Sequence, residues 1–357
     1  VCVVVMAVLT GIYVIAGGYM ATAINDFIQG IIMIFGICAV VYAVLQSQGG
    51  FMTALDGMGQ VVDETVSTTP GVFASFFGPD PLNLLGVVIL TSLGTWGLPQ
   101  MVQKFYAIRS EKSISTGAVV STVFAFIVAG GCYFLGGFGR LFADKIDVVA
   151  DGFDAVIPTM LSGLPDLLIA IVVILVLSAS MSTLSSLVLT SSSTLTLDLL
   201  KGRFIKVMDE KKQVFVMRCL IVVFVLISVV IAIIQYRSNV TFIAQLMGVS
   251  WGALAGAFLA PFLYGLYWKK TTKIACWCSF LFSTVVMIAN MLVRSSFPVW
   301  MQSPINAGAF CMIAGLIIVP LVSLLTPKPD EKIVEDAFAC YDTKVLVHQK
   351  EALADED

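Results

Sequence analysis

The sequence predicts an all-α, polytopic membrane protein whose helices form a bundle. Hydrophobic residues make up 59% of the 357 positions, charged residues only 12%, and the mean hydropathy is +0.98. Soluble globular domains carry far more charge. Apolar stretches of about 20 residues, the length that crosses a bilayer as a helix, recur along the chain. Composition and spacing therefore agree on a bundle of membrane-spanning helices.

Nine apolar stretches are predicted to span the membrane. They cover residues 1–21, 27–46, 83–103, 116–137, 167–190, 214–235, 242–267, 273–293 and 305–326. Residues 1–326 are thus expected to form one transmembrane domain, and residues 327–357 a short tail. The first stretch starts at residue 1 with neither Met nor a polar leader, so an N-terminally truncated chain is expected.

The distribution of basic residues predicts the orientation of the chain. Of the 20 Lys and Arg residues, only Arg140, Lys145, Arg237 and Arg294 fall in the loops on one side. Lys and Arg are enriched in cytoplasmic loops of membrane proteins. The sequence therefore predicts a multi-pass protein of the cell membrane whose C-terminal tail lies in the cytoplasm.

Residues 178–198, SASMSTLSSLVLTSSSTLTLD, contain twelve Ser or Thr side chains. In a helix, Ala179, Ser182, Thr183 and Ser186 form one stripe and present hydroxyl and carbonyl oxygens to one point. Neutral oxygens of this kind suit a hard monovalent cation, for which sodium is the natural candidate. The alternative is that the hydroxyls bond carbonyls of their own helix and allow close helix packing.

Four stretches carry a resemblance to a known family. They are YVIAGGYMATAINDFIQGIIMIFG (residues 13–36), GTWGLPQMVQKFYAIRSEKSI (94–114), SASMSTLSSLVLTSSSTLTLDLLK (178–201) and GLYWKKTTKIA (265–275). Together they resemble the sodium/solute symporter family, which includes sodium/proline, sodium/glucose and sialic acid transporters. The resemblance extends to about residue 326, so residues 1–326 are expected to be a transporter domain.

The resemblance implies an inverted-repeat, leucine-transporter-like fold with sites at broken helices near the midplane. Against that fold, the first apolar stretch matches the fourth core helix and the seventh stretch the tenth. The first three core helices are then expected to be absent from this chain. In the family, the broken first core helix supplies carbonyls to the sodium site and contacts to the substrate.

The resemblance also assigns the sodium ligands. It implies that Ala179, through its carbonyl, and Ser182 and Thr183, through their hydroxyls, are this chain's part of the common sodium site.

Some family members hold a second sodium one helical turn nearer the cytoplasm. Asp26, Ser185 and Ser186 stand at the corresponding positions, so they are predicted to form either a second sodium site or an exit route. The alternative for Asp26 is that Asn25 and Asp26 cap the N-terminus of the helix that follows.

Substrate contacts are expected in the third apolar stretch. Gly and Pro residues are predicted to break this helix, and they are Gly94, Gly97 and Pro99. In the family this is the sixth core helix, which is unwound beside the substrate. The resemblance therefore implies substrate contacts from Thr91, Thr95, Trp96 and Gln100. The alternative is a kinked packing helix with an interfacial Trp.

The sequence narrows the solute to a chemical class and does not identify the compound. Sodium/proline carriers have aromatic residues where this chain has Thr91 and Thr95, and the sugar carriers have a different pattern of polar and aromatic residues. Both proline and hexose are therefore disfavoured. A small organic anion, an amino acid or a related zwitterion remains.

The predicted function is sodium-coupled symport of a small organic solute by alternating access. The expected partners are sodium ion, the solute and the lipid bilayer, with no nucleic acid. An enzyme is disfavoured because His348 is the single His and no HExxH, GxSxG or phosphate-cradling loop occurs. A proton-coupled carrier would show acids or His at mid-span, and the short tail argues against a transporter-like sensor. An inactive fragment is the remaining alternative.

Overall fold

The computed structural model describes residues 2–64, 66–105, 108, 110–146, 152–205, 208–238 and 243–342. Within these ranges nearly every regular element is a helix, and the pairing between Asp63 and Ser67 is an isolated bridge. The prediction of an all-α fold is confirmed. Within the described part of the predicted tail, residues 327–342, a helix starts at Glu331 and ends at Asp342.

The α-helices of the described residues are numbered in chain order. They are α1 (Cys2–Ser47), α2 (Phe51–Gln60), α3 (Pro81–Gly97), α4 (Pro99–Phe105), α5 (Glu111–Gly137), α6 (Val156–Leu161), α7 (Asp166–Ser193), α8 (Glu210–Ser238), α9 (Ile243–Tyr267), α10 (Lys273–Leu292), α11 (Pro304–Leu325) and α12 (Glu331–Asp342). A 3₁₀-helix follows α5 at Phe138–Lys145, and a π-helix follows α7 at Thr194–Phe204.

Seven helical stretches among the described residues are long and apolar enough to cross a membrane. They are Met20–Ser47, Lys112–Lys145, Asp166–Lys201, Glu210–Tyr236, Gln245–Tyr267, Lys273–Leu292 and Pro304–Leu325. Two shorter apolar helices, Cys2–Gly18 and Pro81–Gly97, lie where the first and third spans were predicted. Each predicted stretch therefore coincides with an apolar helix, but the count of nine spans is not confirmed.

A single residue, Gly18, separates the two helical segments of α1. Its φ of 57° and ψ of −149° are not helical, and L-residues other than Gly rarely adopt such angles. The adjacent Gly17 has no room for a side chain, since a Cβ there would lie 2.1 Å from Cβ of Ala21. The chain therefore breaks at the Gly pair and not at residues 22–26, where the first two spans were predicted to meet. Asn25 and Asp26 lie inside the second segment, so the interpretation of these residues as an N-cap is wrong.

The described chain divides into two compact units. The first comprises Val1–Leu84 and Gln100–Leu246, and the second comprises Leu85–Pro99 and Met247–Asp357. In the first unit, α7 packs along α1 and α8, and α1 also contacts α5. Buried Val14, Val188 and Ile221 form an apolar core where α1, α7 and α8 meet.

A second core of the first unit lies at the other end of its helices. Val44, Phe138 and Met160 are among its buried members. Beside it, Arg140 Nη1 lies 2.6 Å from Asp63 Oδ2, and the Arg140 guanidinium lies 4.1 Å from the centre of the Phe73 ring. These contacts join the connection after α2 to the 3₁₀-helix that follows α5.

The second unit is held together by small residues. A Cβ on Gly252 of α9 would lie 2.6 Å from Cα of Gly308 in α11, so the two backbones approach closely. Ser283 of α10 donates a 3.0 Å hydrogen bond to the Gly252 carbonyl oxygen. Such contacts replace the hydrophobic effect as the source of helix association in lipid.

Candidate functional site

The hydroxyl-rich helix α7 provides the centre of the candidate site. It begins after Pro165 with Asp166 in its first turn. A negative charge at this end of a helix interacts favourably with the helix dipole. One face is buried in the first unit and consists of Ser178, Ser185, Val188 and Ser192. The residues predicted to bind sodium lie on the adjacent face, because each residue advances the helix by about 100°.

Two of the predicted sodium ligands are neighbours in the structure. Thr183 Oγ1 donates a 3.0 Å hydrogen bond to the Ala179 carbonyl oxygen. Ala179 and Ser182 are half-buried, whereas Thr183 is exposed. A hydroxyl that donates its proton keeps its acceptor lone pairs. The Ala179 and Thr183 oxygens therefore lie close enough together to contact one cation.

The hydrogen bonds expected from the packing alternative are also present on this helix. The Ser185 hydroxyl donates to the Ser182 carbonyl over 2.9 Å, and the Ser192 hydroxyl donates to the Leu189 carbonyl over 3.0 Å. Ser185 and Ser192 belong to the buried face, where such bonds satisfy their polar groups. The bond from Thr183 to the Ala179 carbonyl is of the same kind, so the packing interpretation applies to the stripe as well as to the buried face.

A cavity of about 620 Å³ lies in the first unit beside this stripe. Its polar wall on α7 consists of Ser186, Thr190 and Ser193, which follow Ser182 at steps of four, four and three residues and so continue the same face. The other walls come from α1, α4 and α8, with Val14, Ile15, Ala16, Gly17, Gly18, Thr22, Ala23, Asp26, Gln100, Val214, Met217, Arg218 and Ile221 among the lining residues.

The structure brings together three of the predicted site residues in this cavity. Asp26, Ser186 and Gln100 all line the cavity. Arg218 also lines it and adds a positive charge. Ser185 does not line the cavity, because it is fully buried on the neighbouring face. Of the three residues predicted for a second sodium or an exit route, two therefore face the cavity and one does not.

A buried polar cluster lies where α1 crosses α7, and the sequence reasoning missed it. The Tyr13 hydroxyl donates a 3.1 Å hydrogen bond to the Met181 carbonyl oxygen of α7. Thr10, Asn25 and Ser185 lie around the same hydroxyl. The sequence does contain a signal for the cluster. Thr10 and Tyr13 are three residues apart, so they share one face of a helix that ends at a Gly pair.

Two polar atoms of this cluster are unsatisfied. Within the described part of the chain, Thr10 Oγ1 and Asn25 Nδ2 are buried and complete no hydrogen bond. Buried polar atoms are almost always paired, with protein groups or with ordered water. The cluster therefore has unused capacity to bind water or an ion next to the hydroxyl helix.

The remaining predicted substrate residues belong to the second unit. Thr91 donates to the Val87 carbonyl over 2.8 Å, Thr95 donates to the Ser92 carbonyl over 3.1 Å, and 59% of Trp96 is exposed. Their side chains are thus turned outward or bonded to their own helix in this unit.

The predicted break of the third stretch is narrower than expected. Gly97 ends α3, Leu98 is non-helical and buried, and Pro99 starts α4. Gly94 lies inside α3 and does not break it. A Cβ there would lie 2.9 Å from the Trp251 ring, and one on Gly97 would lie 2.8 Å from Cα of Ala255. The two glycines allow α3 to pack closely on α9.

Apolar spanning helices, a helix interrupted by glycine and a cavity beside a stripe of neutral oxygens are typical of membrane transport proteins. The model of the sodium:solute symporter family matches residues 1–281. The chain therefore belongs to the sodium:solute symporter family and is a multi-pass membrane protein. The resemblance stated from the four sequence stretches is confirmed.

Similar proteins include transporters of three bacteria. The chain is 26% identical to the high-affinity proline transporter PutP of Bacillus subtilis (strain 168), over 92% of this chain and 66% of that protein. It is 28% identical to the sodium/pantothenate symporter of Haemophilus influenzae, over 74% and 52%, and 27% identical to a sodium/proline symporter of Staphylococcus aureus, over 89% and 60%. The chain thus spans about two thirds or less of the length of these relatives, which are transporters and not enzymes.

A solved structure shares the fold. A substrate-bound, outward-open, Na⁺-coupled sialic acid symporter matches with a TM-score of 0.65 over 92% of this chain and 67% of that one. The sequence identity is 16%, so this likeness concerns the fold. It confirms the prediction of a leucine-transporter-like helical membrane fold.

Proposed function

We propose that this protein is a sodium-coupled symporter that imports a small organic solute by alternating access. The observation that carries the proposal is the stripe on α7, where the Ala179 carbonyl and the Thr183 hydroxyl lie 3.0 Å apart beside half-buried Ser182. These three residues are this chain's ligands for the driving sodium. Membership of the sodium:solute symporter family supports the coupling ion.

The cavity beside this stripe is the route by which sodium leaves. Ser186, Thr190 and Ser193 extend the row of hydroxyls from the sodium ligands along one side of the cavity, and Asp26 faces the same space. Asp26 and Ser186 line the cavity while Ser185 is buried behind it. This arrangement supports an exit route for these residues rather than a closed second sodium site.

The solute is a small carboxylate, such as an amino acid or an organic anion. The relatives are named for transport of proline and pantothenate, and the solved structure is a sialic acid symporter. All three solutes carry a carboxylate. Gln100 and Arg218 in the cavity wall offer a polar handle and a positive charge to such a group as it leaves. Thr91, Thr95 and Trp96 remain the proposed contacts from α3.

The energetics of one sodium are sufficient for accumulation. With a zwitterionic amino acid, one sodium moves one net charge, which gains about 2.3 kcal/mol through about 100 mV, and a tenfold sodium ratio adds about 1.4 kcal/mol. Together they sustain a gradient of about 500-fold for such a solute, since each decade takes about 1.4 kcal/mol. A singly charged anion that moves with one sodium carries no net charge across, so the sodium ratio alone drives it, to about tenfold. The bias of basic residues supports a cytoplasmic C-terminus, and an inward sodium gradient makes import the favoured direction.

The test is uptake by the full-length protein in proteoliposomes. A panel of radiolabelled amino acids and organic acids is offered with either an inward sodium gradient at equal pH or an inward proton gradient without sodium. We expect accumulation of at least one carboxylate solute with the sodium gradient alone. Accumulation with the proton gradient alone would instead establish the proton-coupled carrier.

A further inference from the structure

A groove on the outer surface of the second unit is not used by the proposed transport cycle. It has a volume of about 240 Å³ and lies between α9 and α10. Its walls are Ala257, Phe258 and Pro261 of α9 and Lys273, Cys276, Trp277 and Phe280 of α10. The groove is therefore mostly apolar, with one charged residue, Lys273, at one end.

Three aromatic rings form the floor and wall of this groove. The Phe258 and Phe280 ring centres are 5.7 Å apart, and those of Trp277 and Phe280 are 5.6 Å apart. Trp277 is 54% exposed and Phe258 is 38% exposed. Trp side chains with an exposed apolar ring are enriched where protein meets the membrane–water interface.

The groove runs from the connection between the two helices toward the middle of the membrane span. Lys273 is the first residue of α10, and Phe280 lies seven residues later. At 1.5 Å per residue, this distance is about 10 Å. An occupant that lies along the groove thus has one end at the interface and the other among apolar side chains.

Positive charge is concentrated at the interfacial end. Lys269 and Lys270 lie in the connection just before Lys273, and all three are exposed. Among the residues that the structure describes, none of the three has a carboxylate within ion-pair distance. The Lys269 ammonium lies 5.5 Å from the centre of the Phe338 ring of α12. This contact keeps the ammonium group near the connection.

We infer that this groove binds an anionic phospholipid. The lysines take the phosphate of the headgroup, and the rings of Phe258, Trp277 and Phe280 take the first part of an acyl chain. Basic clusters at the ends of membrane helices attract anionic lipid by about 1 kcal/mol per Lys. A zwitterionic lipid fills the apolar part equally well but gains less from the lysines.

The probe for this groove is phosphatidylglycerol. Its phosphate carries one negative charge, which the lysines attract at the interfacial end, and its acyl chain lies along the apolar lining. Phosphatidylcholine has the same acyl chains but no net charge, so a comparison of the two lipids isolates the contribution of the lysines.

The experiment measures quenching of Trp277 by brominated lipids in reconstituted full-length protein. Fluorescence of a Trp277→Phe variant is subtracted, so that only the groove is observed. We expect brominated phosphatidylglycerol to bind about fivefold or more tightly than brominated phosphatidylcholine, about 1 kcal/mol. Lys273→Gln should reduce this ratio several-fold, Lys273→Arg should keep it, and Lys332→Gln on α12 is the matched control that leaves it unchanged.

Three results would overturn the inference. They are equal quenching by the two lipids, a preference that Lys273→Gln leaves intact, and an absence of quenching by either lipid. The last result would show that protein covers the groove. Melting temperatures of the variants, measured in the same lipid, separate loss of the site from loss of the fold. A failure of sodium-driven uptake leaves this test unaffected.

Discussion

The Thr183 hydroxyl donates a 3.0 Å hydrogen bond to the carbonyl oxygen of Ala179, one turn earlier in α7. The bond places two oxygens on one stripe, half-buried at Ala179 and exposed at Thr183. The neighbouring face of the helix is packed against α1 and α8. A bond of this kind also occurs in helices without any ligand. Whether the bond serves sodium binding or only helix packing is decided by testing whether the two oxygens are needed for sodium.

Replacement of Thr183 by Val removes the hydroxyl and keeps the shape of the side chain. A hydrogen-bonding group that contacts a charge contributes about 1.5–3 kcal/mol, so the sodium concentration for half-maximal uptake should rise by about 10- to 100-fold. Thr183→Ser should retain nearly normal sodium dependence. The measurement is solute uptake against sodium concentration, and equal curves for Val and wild type would argue for helix packing alone.

Replacement of Asp26 by Asn tests the exit route. If Asp26 assists release through the cavity, turnover should fall, while the Hill slope for sodium stays unchanged. Uptake rates at saturating solute and a full sodium titration provide both values. A Hill slope that falls from about two to about one would mean that Asp26 belongs to a second sodium site. The control is Asp198→Asn, because Asp198 is exposed and lies in the π-helix that follows α7.

Tyr13→Phe should weaken the attachment of α1 to α7. It removes the donor to the Met181 carbonyl, so the free energy of unfolding should fall by about 0.5–1.5 kcal/mol. Tyr42→Phe is the matched control, because Tyr42 is 67% exposed and lies in the second segment of the same helix. Denaturant unfolding in detergent micelles measures both variants. A Tyr13→Phe protein as stable as the Tyr42→Phe protein would show that the bond is unimportant.

Gly18→Ala should destabilise the break in α1. The angles at Gly18 are φ 57° and ψ −149°, a region that costs an L-residue about 1–3 kcal/mol. Gly11→Ala, in the regular part of the same helix with no atom within 4 Å of an added Cβ, should be neutral or slightly stabilising. Melting temperatures of the two variants give the comparison. Equal values would mean that α1 tolerates a continuous helix through residue 18.

The apolar helices were predictable because hydropathy alone marks segments that cross a bilayer. The break at Gly18 was not, since Gly17 and Gly18 hardly lower the local hydropathy and either a loop or a kink fits them. A helix cap was one alternative for Asp26, because Asn25 and Asp26 precede the predicted second span. The position of Asp26 on the wall of the cavity is a tertiary feature that no local pattern contains.

The candidate site was predictable only in part for a similar reason. Residues Ala179, Ser182 and Thr183 share a helix, so their common face follows from helical spacing. The contact of Tyr13 with the Met181 carbonyl joins residues 168 positions apart, and spacing gives no information on it. The placement of Gln100 beside Asp26 likewise depends on how α4 packs within the first unit.

The most direct test of the central claim is equilibrium binding of radioactive sodium to the purified full-length protein. Wild type is compared with a Ser182→Ala/Thr183→Val double variant and with Ser191→Ala, which lies on the opposite side of α7 from Ser182 because residues advance by about 100° each. The account predicts saturable sodium binding by wild type and Ser191→Ala, and its loss in the double variant. Undiminished binding by a folded double variant would contradict it.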